Sequence, residues 1–524
     1  MFDGPRMTRR RLLEVATASV LAELGADALA PVAASARTRW PAAALHARDA
    51  QRVNAAQFMP ARQLLEWHRQ LDAVGLRATG SPVHEHYIDV LRARLHRAGV
   101  QQLRFEAVPH RRWLAQAWSL RAGSPQPSRA IPTASYIPYS GGTPAAGVTA
   151  PLVHLTDPAG APPAPGSLRG KIALFTLPQT PLTYGALATL AYRSYDPAGI
   201  LKANAPYARA WLSISTLIEI LTALVRAKAA GCVCILDLPA DAAHGAYYPY
   251  DGRIRPVPGV FVDHQTGTRL IALAAAGATA RLTVRSHTKE MHTRNLLGVI
   301  PGASTELMLL HSHTDGPNAI EDNGPNAIVA ISQYLTRLPR RSLPRSVMVL
   351  LTTGHFAGGA GVEAFVRRHR RSTLRRAAAA LTLEHLGARE WNPQPDGHSR
   401  LTGHAEAASV FTPESSPLVS AAATALKRAK DDPASVLRPY VSSPGSPDGN
   451  GWPAEGTQLW TMAALPTANY ITGPTYLLNW GIPTVDKLDV ALMRREAIAF
   501  TEMLLALSRV PKAKLRTLDL LPRR

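Results

Sequence analysis

Four short stretches of the chain carry ionisable residues of the kinds that bind metal ions or move protons. His311-Ser312-His313-Thr314-Asp315 ends one apolar run, and Glu321-Asp322-Asn323-Gly324 opens a helical pattern. Gly354-His355-Phe356-Ala357-Gly358-Gly359 and Glu384-His385-Leu386-Gly387 each follow a further apolar run. Imidazoles mixed with carboxylates form the donor set that suits Zn²⁺ or a similar divalent ion. One histidine at a strand end is commonplace and does no more than accept a hydrogen bond. Four such groups, each at an element terminus, read as a site. Other chemistries lack their signatures. The glycines of 354–361 come without the Lys-Ser/Thr of a phosphate-binding loop, and no G-x-S-x-G elbow is present for serine catalysis.

The elements that must position these groups follow from periodicity. Leu64, Leu65, Leu71 and Val74 make one helical stripe and Tyr87, Leu91 and Leu95 a second, separated by the loop chemistry of Gly75–Pro82. From residue 294 apolar runs alternate with helical patterns. Strands are expected at 296–300, 306–311, 346–352 and 380–384, with helices at 327–338, through Phe365 and at 490–508. The expected fold class is therefore α/β, with a mixed, mostly parallel sheet and helices on both faces. In such open sheets, sites form in the loops beyond the carboxyl ends of the strands. Residues 148–285 differ. Short strands at 171–175, 231–236, 258–262 and 280–284 surround a helix at 212–230, which predicts a small α+β insert.

Composition sets the outer bounds. At 524 residues the chain has room for roughly three domains, and 46% hydrophobic residues exclude wholesale disorder. Lys and Arg number 58 against 37 Asp and Glu, a net charge of +21. The basic residues are scattered over helical faces with no recognition module, which argues against nucleic acid as a partner. Cys232 and Cys234 are the two cysteines; two apart on a strand, they diverge on one face and do not pair. Thr8-Arg9-Arg10-Arg11-Leu12-Leu13, an Ala-rich stretch and Ala34-Ser35-Ala36 resemble a twin-arginine export signal over 1–36. A linker is expected at 37–57 and a basic tail at 511–524. No stretch has the roughly 20 apolar residues of a membrane span.

The motifs together resemble the secreted zinc aminopeptidase family of metallopeptidases, whose relatives include glutamate carboxypeptidase and glutaminyl cyclase. That family's strands end in H-x-D, E-E-x-G-x-x-G and D-M-x-G, with D-N-x-x-G opening a helix and a late His in H-T-x-x-D-T. His313-Thr314-Asp315, Asp322-Asn323-Gly324, His355–Gly361, Glu384–Gly387 and Asn479–Asp489 stand at those places. The resemblance covers roughly 58–510, with 58–147 and 286–510 as the metallopeptidase-like domain. It likens 148–285 to the inserted protease-associated domain of such enzymes. It implies an exported hydrolase of peptide or amide bonds. One zinc would be held by His313, Asp322 and Glu384, with Asp315 fixing the His313 ring and His355 standing where the family has its glutamate base. The second metal's positions carry Phe356 and Asn479, so a single ion is expected. His311 and His385 are alternative ligands, and His355 is either base or ligand. The competing reading is a catalytically inactive homologue that serves as a binding module.

Overall fold

The computed structural model describes residues 39–516 except Pro181. The expected export signal and the end of the basic tail therefore lie outside the described residues. The architecture is the expected α/β one. Strands Arg345–Thr352, Ser304–His313, Ala377–Leu383 and Thr467–Thr472 run parallel in that spatial order. Every residue of Arg345–Thr352 and of Ala377–Leu383 is buried, as expected for strands covered on both faces. Three of these elements match the apolar runs in the sequence. Thr467–Thr472 and the short strands Ala408–Phe411 and Ala434–Leu437 beyond it were not legible there.

The helices Ala61–Val74, Pro82–Arg97, Gly324–Leu335 and Val490–Leu507 pack into one core with the sheet. Ser81 caps the second of them by accepting from the His84 amide, and Pro82 fills its first turn. From residue 39 onward the expected linker, 37–57, packs into this core. Leu45, Ala50 and Val53 are buried in it, and the Tyr334 hydroxyl accepts from the Asn54 amide and donates to the Asp49 carbonyl.

The insert hangs from a ribbon that the sequence revealed only in part. Gln101–Gly123 pairs antiparallel with Thr279–Ile300 from Gln101↔Val299 to Gly123↔Thr279. The second of these strands joins expected strands at 280–284 and 296–300 into one. Its first half pairs with Val148–Leu155 of the insert and its last residues with Arg345–Thr352 of the main sheet. The excursion beyond the ribbon runs from 124 to 278, where the sequence suggested an insert at 148–285. It holds its own parallel strands Val148–Leu155, Ile172–Thr176, Gly231–Ile235 and Gly259–Val262. Part of it leaves that sheet. Ala191–Tyr195 pairs with Ala434–Leu437 at the far edge of the main sheet, so the insert is fastened at two places. Cys232 and Cys234 are buried and unpaired, as expected. Among the described residues no helix is long and apolar enough to cross a membrane.

Candidate metal centre

The Ser304–His313 and Ala377–Leu383 strands end side by side. Their next residues, with the loop of 316–323 and the turn after Arg345–Thr352, meet at one buried point. Each of the two imidazoles at its centre is anchored by its far nitrogen. His313 Nδ1 donates to the Asp315 carbonyl (2.9 Å) and His385 Nδ1 to the Thr472 carbonyl (2.7 Å), which leaves both Nε2 lone pairs directed inward. His385 adopts a left-handed backbone (φ 56°). A non-glycine residue there stores strain that functional sites tolerate.

Four residues close a circuit around the point. His313 Nε2 lies 3.6 Å from both Glu321 Oε1 and Glu384 Oε2. His385 Nε2 lies 3.5 Å from Glu321 Oε1 and 3.9 Å from Glu384 Oε2. These separations are too long for hydrogen bonds. Donors about 2.1 Å from a tetrahedral zinc lie about 3.4 Å apart, which is close to what is seen. His313 Nε2, Glu321 Oε2, Glu384 Oε2 and His385 Nε2 are all buried without a hydrogen-bond partner. Such groups are costly to leave unpaired. Three of them, His313 Nε2, Glu384 Oε2 and His385 Nε2, converge on one point and fit a cation, while Glu321 faces the circuit with its other oxygen, Oε1.

The electrostatics agree. Burial works against charge on His313, but the Glu321 and Glu384 carboxylates outweigh it and hold the imidazole well above its usual pKa. Burial pushes Glu321 up to about 8 and His385 down to about 4. Burial would also raise Glu384, but the His313 imidazole beside it pulls it down to about 2. The donor ring thus binds a proton tightly on His313, where a metal ion would serve instead.

Asp322, expected as a ligand, is engaged elsewhere. Its two oxygens accept from Arg77 Nε and Nη2, both at 2.7 Å, and both side chains are fully buried. The residue before it, Glu321, points into the ring. His311, expected as an alternative ligand, has both ring nitrogens on threonine hydroxyls, Thr382 and Thr352, each at 3.0 Å. His385 is the alternative that enters. Asp315 does hold the His313 ring, through its main-chain carbonyl; its carboxylate accepts from Thr79 Oγ1 and from the amides of His355 and Phe356. Phe356 packs against Tyr247 and Tyr250. Asn479 donates to the carbonyls of Ala242 and His244.

His355 stands beside the ring, stacked on His313 with ring centroids 4.3 Å apart. Its Nε2 is 3.8 Å from Glu321 Oε1. It is the site imidazole that reaches solvent, with 11% of its side chain exposed into a cleft lined by Ile214, Tyr250, Asp251 and Trp452. Three of those residues, Ile214, Tyr250 and Asp251, belong to the insert. His313, Glu321 and His355 form a second close group overlapping the first. With Nδ1 already donating, His313 has one lone pair and cannot serve both groups, so this arrangement accommodates one ion through it. The sequence reasoning assigned no role to Glu321 or Glu455. Glu321 was signalled only by its place before Asp322-Asn323, and Glu455 by nothing in its neighbourhood.

Compared by sequence, the chain matches no family model and no curated protein. Compared by structure, it has the fold of the zinc aminopeptidases. A peptidase M28 precursor from Shewanella amazonensis SB2B superposes with a TM-score of 0.60 at 18% identity, over 88% of this chain and 95% of that one. The zinc aminopeptidase BSAP from Bacillus subtilis gives 0.58 at 15% identity, over 86% and 94%. An aminopeptidase from Aneurinibacillus sp. strain AM-1 gives 0.54 at 14%, over 86% and 93%.

Proposed function

We propose that the protein is an exported, metal-dependent hydrolase of peptide or amide bonds that uses a single zinc ion. The observation that carries this reading is the convergence of three buried, unpartnered donor atoms, His313 Nε2, Glu384 Oε2 and His385 Nε2, with Glu321 Oε1 beside them and an accessible imidazole next to the group. His313, Glu384 and His385 would hold the ion, with Glu321 on the side facing His355. Bound there, zinc supplies Lewis-acid polarisation of a carbonyl and acidifies water. The chain's own residues do the rest. His313 and His385 are locked by carbonyl acceptors, which fixes their tautomers. His355 presents Nε2 to the cleft and takes the proton of the attacking water as general base. The arginine-rich start of the sequence supports export.

An apolar pocket adjoins the site. Leu182, Tyr207 and Trp211 of the insert face Phe411 and Ile471 of the sheet and Tyr440 beyond it. Its wall includes Thr472, whose carbonyl holds His385, and Pro453, which also lines the His355 cleft. No charged side chain lines it, so substrates with a bulky apolar residue next to the scissile amide are favoured. The test is zinc analysis of the purified protein together with hydrolysis of a panel of aminoacyl amides. One zinc per chain is expected, with chelator-sensitive cleavage fastest for leucyl and phenylalanyl amides. Protein that binds no zinc overturns the reading. Zinc bound without any hydrolysis leaves the binding module.

A further inference from the structure

The base position carries a histidine where the resemblance expects a glutamate, and an imidazole in a buried site needs something to set its tautomer and balance its charge. Glu455 lies against it. Its Oε2 accepts from His355 Nδ1 at 2.7 Å, a charge-assisted distance. The carboxylate is itself fixed. Oε1 accepts from Thr352 Oγ1 at 2.6 Å, and the Glu455 amide donates to Glu384 Oε1 at 3.3 Å. The loop that bears it is pinned in turn, since the Trp452 indole and the Gly456 amide both donate to Asn469 Oδ1. Glu455 is 1% exposed, so no solvent competes for its oxygens.

Resting on the hydrolase reading above, we infer that Glu455 is the positioning residue that makes His355 a general base. The carboxylate fixes the proton on Nδ1, so the Nε2 lone pair faces the cleft. In the reaction, water oxygen bonds to the amide carbon as its proton passes to His355 Nε2, and Glu455 balances the imidazolium charge. When the C–N bond breaks, the same proton goes from Nε2 to the departing amine nitrogen. The products are a carboxylic acid and an amine, and the His355–Glu455 pair returns to its starting state. A carboxylate from a loop a hundred residues further along thus works through an imidazole in the place of a directly acting glutamate.

The test combines kinetics with histidine side-chain NMR on the zinc-loaded full-length protein. Glu455→Gln is expected to lower kcat by about a hundred- to ten-thousand-fold, with KM and zinc content unchanged, and Glu455→Asp to recover part of the loss. Combined with His355→Ala, Glu455→Gln is expected to add no further loss, because the two act as a unit. In the wild type, the ¹⁵N shifts should report His355 protonated at Nδ1, with a low-field proton that disappears in Glu455→Gln. Unchanged kcat in Glu455→Gln, multiplicative losses in the double variant, or a wild-type ring protonated at Nε2 would each overturn the inference while leaving the hydrolase reading intact. If the wild type binds zinc, shows the Nδ1 tautomer and cleaves no amide, the hydrolase reading itself fails and takes this role with it.

Discussion

Adjacent residues at the centre do different work, and the difference is testable. Asp322 pairs with Arg77, and Glu321 faces the donor ring. Asp322→Asn should therefore keep zinc but lose about 3–5 kcal/mol of stability, because it strands a buried guanidinium. Glu384→Ala and His385→Ala should lose zinc. Metal analysis beside urea unfolding separates the two behaviours; loss of zinc in Asp322→Asn with little change in stability would restore Asp322 as a ligand. The sequence made His313, Glu384 and His355 visible because each follows a recognisable apolar strand, and strand ends fix where a side chain goes. It did not separate Glu321 from Asp322, since they occupy a loop in which one residue of offset reverses direction. His385 entered for a similar reason, through a left-handed turn that no periodicity announces.

At the scale of elements, the helix Ala61–Val74 carries a titratable group far along the chain from the donor ring. His68 is buried with Nε2 on Thr484, and burial pushes its pKa down to about 4. Its ordinary value is near 6.5, so between these values the unfolded chain binds a proton that the folded one refuses. Stability is then full above pH 6.5 and falls as the pH drops toward 4, by up to about 3 kcal/mol for this one group. Urea midpoints measured from pH 7.5 to 4.5 should show that slope, added to those of other buried histidines such as His385, and His68→Gln should make it shallower; an unchanged slope would refute the assignment. The helices and central strands here were legible from their apolar periods. The short strands Ala408–Phe411 and Ala434–Leu437 were not, because four residues give too little pattern to tell a strand from a loop.

Across the whole molecule, the insert and the main sheet behave as one body. Ala191–Tyr195 completes the far edge of the main sheet, and Arg209 donates to Glu406 at 2.7 Å and to the Gly473 carbonyl at 2.7 Å, all buried. Unfolding should accordingly be a single transition. Cys232 and Cys234 sit in the insert, and burial pushes the Cys232 thiol up to about 12, so thiol labelling reports the insert alone. Labelling and far-UV circular dichroism should share one urea midpoint, and a separate, earlier labelling transition would show an independent insert. Sequence periodicity pointed to a second unit at 148–285, and the excursion beyond the ribbon runs from 124 to 278. Periodicity read only stretches of the ribbon Gln101–Gly123 and Thr279–Ile300 as elements, because half-exposed paired strands alternate weakly.

That ribbon brings the insert's entry and exit face to face, Gly123 against Thr279. A stem of this kind is a splice point for the parts of the excursion that add no strand to the main sheet: those can change in length without rewiring the strand order beneath, whereas Ala191–Tyr195 forms its edge. Tyr250 and Trp211 both ride on the excursion, one over His355 and one over the apolar pocket. Changes of length in those parts would alter the walls around His355 and the apolar pocket, while the sheet end that bears His313, Glu384 and His385 stays as it is.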